Sequence, residues 1–348
     1  MAVPKSKKRK ISQHQTARNE EHVDTSKPSA IFTPKGPRLH TLSVALPGSI
    51  IENAKSHDQK TFLAGTIARA LAVFSVDEVV IFDDDNPPRP NRIFDDPNTD
   101  EYTATKDPSH FLAHLLSYLE TPPHLRKHLF PMHPNLRTAG TLPSLDMPHH
   151  PRADEWCDYR EGVVVSGDGE KPTLVDTGLP KKIQLRDYDI PSKTRVTIKF
   201  GSRDNYEKDA EPVDPAEPRE EAGYYWGYSV RRCGSLSAVF TECPFDGGYD
   251  LSFGTSERGV PISRVLAEPG SIPKYRHLLV VFGGVAGIEA AISADPELLD
   301  KGLTPAIAGE LFDYWVNVLP DQGSRTIRTE EAVWLGLMGL RGVVERNG

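Results

Sequence analysis

Residues 317–332 read NVLPDQGSRTIRTEEA, and the reading of this stretch decides how the rest of the chain is taken. Pro320 and Gly323 interrupt any helix or strand periodicity, and Arg325 and Arg328 bracket Ile327. Thr329 stands where an N-cap belongs, with Glu330 and Glu331 in the first turn of an apolar closing helix. Such a loop fits a ligand-holding turn as well as a capped surface connector. What lies upstream decides between them.

Two more glycine-bearing loops precede it. GTSERG (254–259) follows a strand-like run at Asp250–Phe253, and FGGVAGIE (282–289) follows HLLVVF (277–282), the strongest β-run in the chain. In an open parallel sheet, loops beyond the carboxyl ends of the strands collect ligands, and glycine lets backbone approach them closely. None of the three loops matches GxGxxG or GxxxxGKS, so neither a dinucleotide fingerprint nor a P-loop is supported. No paired-acid or Ser-His-Asp pattern competes with them.

Working outward, Leu39–Leu46 predicts a first strand, 50–72 a helix and Val76–Phe82 a second strand ending in Asp83, Asp84 and Asp85. This is the grammar of a parallel sheet with crossover helices. The segment 86–107 reads as a Pro-rich loop, and His110–Phe130 as a helix broken at Pro122-Pro123. Between about 135 and 240 the character changes to short strand-like runs: Gly162–Ser166, Thr173–Val175, Lys182–Leu185, Thr194–Phe200 and Tyr224–Val230. Their spacing predicts a small antiparallel barrel, OB-like or SH3-like, inserted in the α/β domain, with 204–222 as an exposed loop. The α/β grammar resumes after Cys243, with helices expected at Ile288–Ala294, Pro305–Tyr314 and Thr329–Val343.

The 348 residues carry a net charge of −8, unevenly spread. Through Pro28 there are seven Lys/Arg against three Asp/Glu, a tail of +4 that leaves −12 for the remainder. Binding to nucleic acid therefore requires localised basic surface. Residues 1–37 read as a disordered basic tail, whose Lys5, Lys7, Lys8, Arg9 and Lys10 fit a nuclear address or a phosphate-binding arm. Three cysteines without a CxxC pair suit a reducing compartment, no membrane span is expected, and no metal set is visible.

The strings VALPGSIIENA, LAGTIARALAVFSVDEVVIFDD, YDLSFGTSERG, LLVVFGGVAGIE and QGSRTIRTEEA together resemble the SPOUT superfamily of knotted α/β methyltransferases, in its group with an inserted OB-like domain. The resemblance covers about 38–131 and 241–348; the intervening 132–240 matches more loosely. It implies an α/β, trefoil-knotted methyltransferase domain with an inserted OB-like β-barrel, and S-adenosylmethionine held bent among the three loops. The cofactor contacts it implies are Thr255, Ser256 and Gly259, then Gly283, Gly284 and Gly287, then Gln322, Gly323, Ile327 and Thr329, with Val281, Val285 and Ile327 as apolar walls. Core packing is the competing reading for Val281 and Ile327.

For catalysis, Gly65-Thr66-Ile67-Ala68-Arg69 resembles a SPOUT motif bearing a functional arginine, against a helix-surface Arg69 paired to Asp77 or Glu78. Arg258 flanks the first loop, and Glu257 and Glu330 are candidate bases or sulfonium partners. Methyl transfer from a sulfonium carries its own leaving group, so alignment and a base are what a protein adds. RNA contacts are expected from Lys181, Lys182, Lys193, Arg195 and Lys199 on the barrel and from Arg325 and Arg328, with Tyr188, Tyr224, Tyr225 and Trp226 as stacking candidates against a core role. Gly336 and Gly339 suggest close helix packing in a homodimer or heterodimer. The expected activity is methylation of (pre-)ribosomal RNA at a uridine in the nucleolus. Alternatives are a silent pre-60S assembly factor, motivated by Val318-Leu319 where relatives carry Thr-Cys, and a protein methyltransferase.

Overall fold

Residues 41–47 (TLSVALP), 78–82 (EVVIF) and 277–281 (HLLVV) are apolar almost without alternation because the sheet they form is covered on both faces. In the computed structural model, which describes residues 32–84, 101–152, 155–166, 172–267 and 270–347, the chain from Thr33 onward forms one compact unit. The Lys5–Lys10 run, Asp85 and most of the 86–107 loop lie outside the described residues.

In chain order the elements are β1 (Thr41–Pro47), α1 (His57–Val73), β2 (Glu78–Phe82), α2 (Pro108–Glu120), α3 (Pro123–Leu129), β3 (Tyr159–Ser166), β4 (Thr173–Asp176), β5 (Ile183–Leu185), β6 (Arg195–Phe200), β7 (Ala210–Val213), α4 (Glu217–Glu220) and β8 (Ser229–Cys233). There follow α5 (Leu236–Thr241), β9 (Leu251–Pro261), α6 (Ile262–Val265), β10 (His277–Val281), α7 (Gly287–Ser293), α8 (Pro296–Asp300), β11 (Tyr314–Asn317) and α9 (Thr329–Asn347). Six strands pair in parallel in the order β11-β9-β10-β1-β2-β8. Leu42, Val44, Val79, Ile81, Leu278 and Val280 enter a core shared with α1, α2 and α9. The alternate residues Ala45, Val80, Phe82, Leu279 and Val281 enter a second core with α5, α7 and α8. Helix α1 starts at a capping box: Ser56 Oγ accepts from Gln59 N–H and Gln59 Oε1 from Ser56 N–H, worth about 1 kcal/mol.

The remaining five strands form an antiparallel sheet in the order β5-β4-β3-β6-β7, with its own small core of Val164, Val175, Ile183, Leu185, Ile198 and Phe200. No ladder joins β5 to β7 among the described residues. Two expectations are corrected here. Within 204–222, taken above as a loop, lies strand β7. The run 224–230 is not a strand of the antiparallel unit: the chain rejoins the parallel sheet at Ser229, opposite Glu78, ahead of the compositional change near 240. Arg231 drives this return by pairing with Glu78, 3.0 Å, and Arg232 by pairing with Asp107, 2.8 Å. The aromatic run before it is buried. Tyr225 and Tyr228 donate to the Leu71 and Leu116 carbonyls, and Trp226 donates to Glu161 at 2.7 Å, so these two tyrosines and the indole do not form an open stacking face.

The 305–314 helix is a 3-10 turn over Pro305–Leu311, after which the chain becomes edge strand β11. From there it passes the carboxyl end of β10, where α9 starts, and α9 lies beside α1, with Trp334 donating to the Thr66 carbonyl. Gly336 faces the Phe282 ring and Gly339 faces Ile262. These small residues therefore serve close packing within the chain. Among the described residues no helix is long and apolar enough to cross a membrane.

Candidate active site

The three carboxyl-terminal loops converge. Strand β9 pairs with β11 through Phe253–Tyr314 and Gly254–Trp315, and the next pair is Val260–Val316. Residues 255–259 are thus looped out between two consecutive residues of β11. The GTSERG stretch, taken above as a turn after the strand, is an excursion within it. Gly254 and Gly259 make this possible: a Cβ on Gly254 would stand 2.4 Å from the Phe312 ring, and one on Gly259 would stand 2.4 Å from the Val316 backbone. Thr255 Oγ1 donates to the Val281 carbonyl (3.1 Å), pinning the excursion to β10.

Beyond β10, residues 283–287 turn tightly, with Gly287 N–H donating to Gly284 C=O (3.0 Å). Gly287 sits at φ +77°, a region glycine tolerates and L side chains avoid. Thr329, the first residue of α9, donates its hydroxyl to the Gly283 carbonyl at 3.0 Å. Asn317 donates to the Glu257 carbonyl (2.9 Å) and accepts from Leu319 N–H (3.0 Å), tying the first loop to the third.

Between the loops lies a cavity of about 420 Å³, within the usual size range of small-ligand sites. Phe282, Val285, Val318, Ile327 and Ala332 give it apolar walls; Ser256, Glu289, Asn317, Gln322, Arg258 and Arg325 bring polar groups to it. Of the ten residues expected to touch a cofactor, Thr255, Ser256, Gly283, Gly284, Gly287, Gln322, Ile327 and Thr329 line this cavity. Gly259 packs on β11 instead, and Gly323 faces open space.

The expected catalytic residues divide. Arg258 lines the cavity. Arg69 does not: its guanidinium donates to the Ser144 and Leu145 carbonyls, at 3.1 and 2.8 Å, holding the segment after α3 against α1. Its supposed partners are engaged elsewhere, Asp77 by Arg38 and Glu78 by Arg231. Glu330 is buried in the first turn of α9 and bonded to Arg328, so neither side chain reaches the cavity wall.

Of the expected RNA contacts, Arg325 borders the cavity. Lys182 and Lys193 are exposed, and Lys181 is exposed in a pair with Glu207. Lys199 is held by Glu217 and Glu221. Arg195 is bound by Glu120 and Glu161, each at 2.6 Å. Its charge is spent inside the protein, which corrects its reading as an RNA-facing residue.

Two side chains of the site were not singled out in the sequence. Glu289 is one of the two acids on the cavity wall, with its side chain only 14% exposed; the other, Glu257, is exposed. Asn317 stands in the sequence only as the first residue of a loop. A lone acid in a glycine-rich string was the available signal for the first; nothing local announced the second, whose role depends on a partner sixty residues away.

Residues 41–340 match the family model described as "Putative RNA methyltransferase". The chain is 43% identical over 318 residues to the human 28S rRNA (uridine-N(3))-methyltransferase, covering 87% of this chain and 78% of that protein. The mouse protein of the same name is 44% identical over 317 residues, with 87% and 77% covered. The Drosophila melanogaster one is 41% identical over 312 residues, with 88% and 62% covered. The match runs through both sheets and all three cavity-forming loops, and the chain belongs to this SPOUT-type family of RNA methyltransferases.

Proposed function

We propose that this methyltransferase uses S-adenosylmethionine to methylate N3 of a uridine in large-subunit ribosomal RNA. The observation that carries the reading is the single cavity built from all three loops, which has the size and mixed polarity a nucleoside needs. The residues fit such a donor. Main-chain groups of 283–287 and of the Gln322–Thr329 segment are available to an adenine edge and a ribose, and Val285, Val318 and Ile327 supply apolar contact. Bound there, the donor supplies a methyl group on a sulfonium, with a neutral thioether as leaving group. The protein's part is alignment. Thr255 ties the first loop to the end of β10 and Thr329 ties the start of α9 to the second loop, and Arg325 at the cavity border offers a cation to an RNA phosphate. Methylation at N3 would require the N3 hydrogen to leave as a proton, and we assign its acceptance to Glu257, an exposed carboxylate of the first loop that lines the cavity.

The same reading includes the path of the chain. From edge strand β11 the backbone passes the end of β10 and enters α9. The crossover that joins β9 to β10 is bonded to that same helix, Tyr275 N–H donating to Asn347 Oδ1 and Asn347 Nδ2 to the Tyr275 carbonyl. Threading of α9 through this crossover as a trefoil knot is our interpretation of it. The antiparallel unit we take as an OB-like barrel left open between β5 and β7. We assign a dimer and a nucleolar location on the family resemblance and the basic tail.

Mass spectrometry of large-subunit rRNA from cells with and without the protein tests the activity. Loss of one 3-methyluridine, restored by the wild-type chain, is expected; an unchanged modification profile refutes it. Calorimetry with S-adenosylhomocysteine tests the cofactor independently.

A further inference from the structure

Strand β8 ends the parallel sheet beyond β2. On its inner side Ser229 N–H donates to the Asp77 carbonyl, and the Cys233 carbonyl accepts from Asp83 N–H. In a parallel ladder alternate residues bond to the same neighbour. Ser229, Arg231 and Cys233 therefore turn their backbone groups to β2, and Val230 and Arg232 turn theirs outward. Among the described residues the Val230 N–H and C=O have no hydrogen-bond partner. Such an edge is a template for another strand.

A groove follows this edge. Two cavities, of about 380 and 270 Å³, share Ser117, Phe130 and Val230 and so meet beside β8. Helix α2 walls the groove from His110 to Glu120, a rise of about 15 Å, close to the roughly 17 Å of the five-residue β8. On that wall the half-buried Ser117 hydroxyl makes no hydrogen bond among the described residues. A recess of this length suits one extended chain. Each arginine that lines it is already paired: Arg195 with Glu120 and Glu161, Arg231 with Glu78, Arg232 with Asp107. His114 is neutral at pH 7, because burial and the neighbouring His133 and His110 hold its pKa down to about 4. Nucleic acid binding draws on cations that neutralise phosphates, which these arginines do not supply. The lining by Leu129, Phe130 and Tyr228 suits an uncharged side chain instead.

We propose that this groove binds an extended peptide segment of a protein partner, which adds a strand to β8. Val230 supplies the N–H and C=O that hold the guest backbone, and an apolar guest side chain enters the end walled by Leu129, Phe130 and Tyr228. The groove and the cavity of the three loops share no lining residue, so binding here is independent of the cofactor reading.

Random peptides displayed on phage and selected against the full chain supply the probes, and fluorescence anisotropy of the synthetic peptides measures their affinity. Selected peptides should carry an apolar residue in an alternating, strand-forming pattern. N-methylation of their backbone amides should abolish binding at alternate positions and be tolerated between them. Val230→Pro removes an N–H that β2 does not use and should weaken binding by about tenfold. Ser117→Arg, on the facing helix wall, should fill the groove and weaken binding at least as much. Melting temperatures near wild type show that both variants fold. The proposal is overturned if selection yields no binder, or if the peptides bind both variants like the wild type. It is also overturned if single-stranded RNA displaces the peptides and binds Ser117→Arg more tightly, since the added cation favours phosphate and blocks a peptide.

Discussion

Gly283 shows how little freedom the cavity leaves a single residue. A Cβ there would lie 2.6 Å from the Gly287 carbonyl carbon and from Ile288 N, both backbone atoms that cannot swing aside. At Gly284 the nearest neighbours would be Ser49 Oγ at 3.2 Å and Asp84 Oδ2 at 3.5 Å, side-chain atoms with room to adjust. Gly283→Ala should therefore cost about 1–3 kcal/mol of stability and abolish S-adenosylhomocysteine binding, whereas Gly284→Ala should fold normally. Thermal melting beside calorimetry separates them; equal behaviour of the two variants would contradict this account of the turn. The need for glycine here was legible from GG directly after a strand. That Glu289 folds back onto Gly287, and that Asn317 holds the Glu257 carbonyl, was not, because both depend on where the chain turns rather than on local pattern.

At the scale of elements, strands buried on both faces were plain in the sequence and strands at edges were not. Strand β7 carries Pro212 within a Glu- and Asp-rich stretch, which reads as loop. Proline is tolerated because β7 is the outer strand of its sheet. Strand β11 is four residues long, follows a Pro/Gly-rich 3-10 turn, and is also an edge. Strand β8 was legible only in its first two residues, at the end of the 224–230 run, and its ion pairs to Glu78 and Asp107 fasten it to the parallel sheet. The closing helix makes a sharper case. Gly336 sits against the fully buried Phe282, where an added Cβ would be 2.9 Å from ring carbons, while at Gly342 a Cβ would meet only the tip of the Arg346 side chain at 3.2 Å. Helix propensity favours replacing either glycine, by up to about 1 kcal/mol for alanine. Overpacking a closed core costs about 1–3 kcal/mol and wins at Gly336. Gly336→Val should lower the melting temperature by several degrees and Gly342→Ala should raise it by about 2 °C. A stabilised Gly336→Val would mean that α9 is not seated on the sheet through this face.

For the molecule as a whole, the decisive feature is the polar cluster that fastens the antiparallel sheet to α2. Glu120, the last residue of α2, meets Arg195 of β6 at 2.6 Å and His149 at 2.7 Å, and Arg195 also binds Glu161. His150 Nε2 contacts the Glu120 carbonyl oxygen at 2.5 Å. Burial alone would raise the Glu120 pKa, but the charges of Arg195 and His149 and their hydrogen bonds hold it well below the usual carboxylate range. Burial, with the charge of His149 second, lowers His150 to about 3. Both groups bind fewer protons folded than unfolded, so both make stability rise with pH, in different windows. The His150 contribution begins to be lost as pH falls below about 6.5, where the unfolded imidazole protonates. The Glu120 contribution is complete above about pH 5 and is lost only as pH falls further, toward its depressed folded value. Glu120→Gln leaves Arg195 short of one buried partner and should cost about 3–5 kcal/mol at pH 7. Its urea-unfolding free energy should keep the wild-type slope between about pH 7 and 5 and run flatter than wild type between about pH 5 and 3.5. Parallel curves through the lower window would show that Glu120 is not the carboxylate holding the two sheets' acid sensitivity. A flattened upper window would instead move the linkage to His150, whose ring lies 4.4 Å from that of His149 beside it.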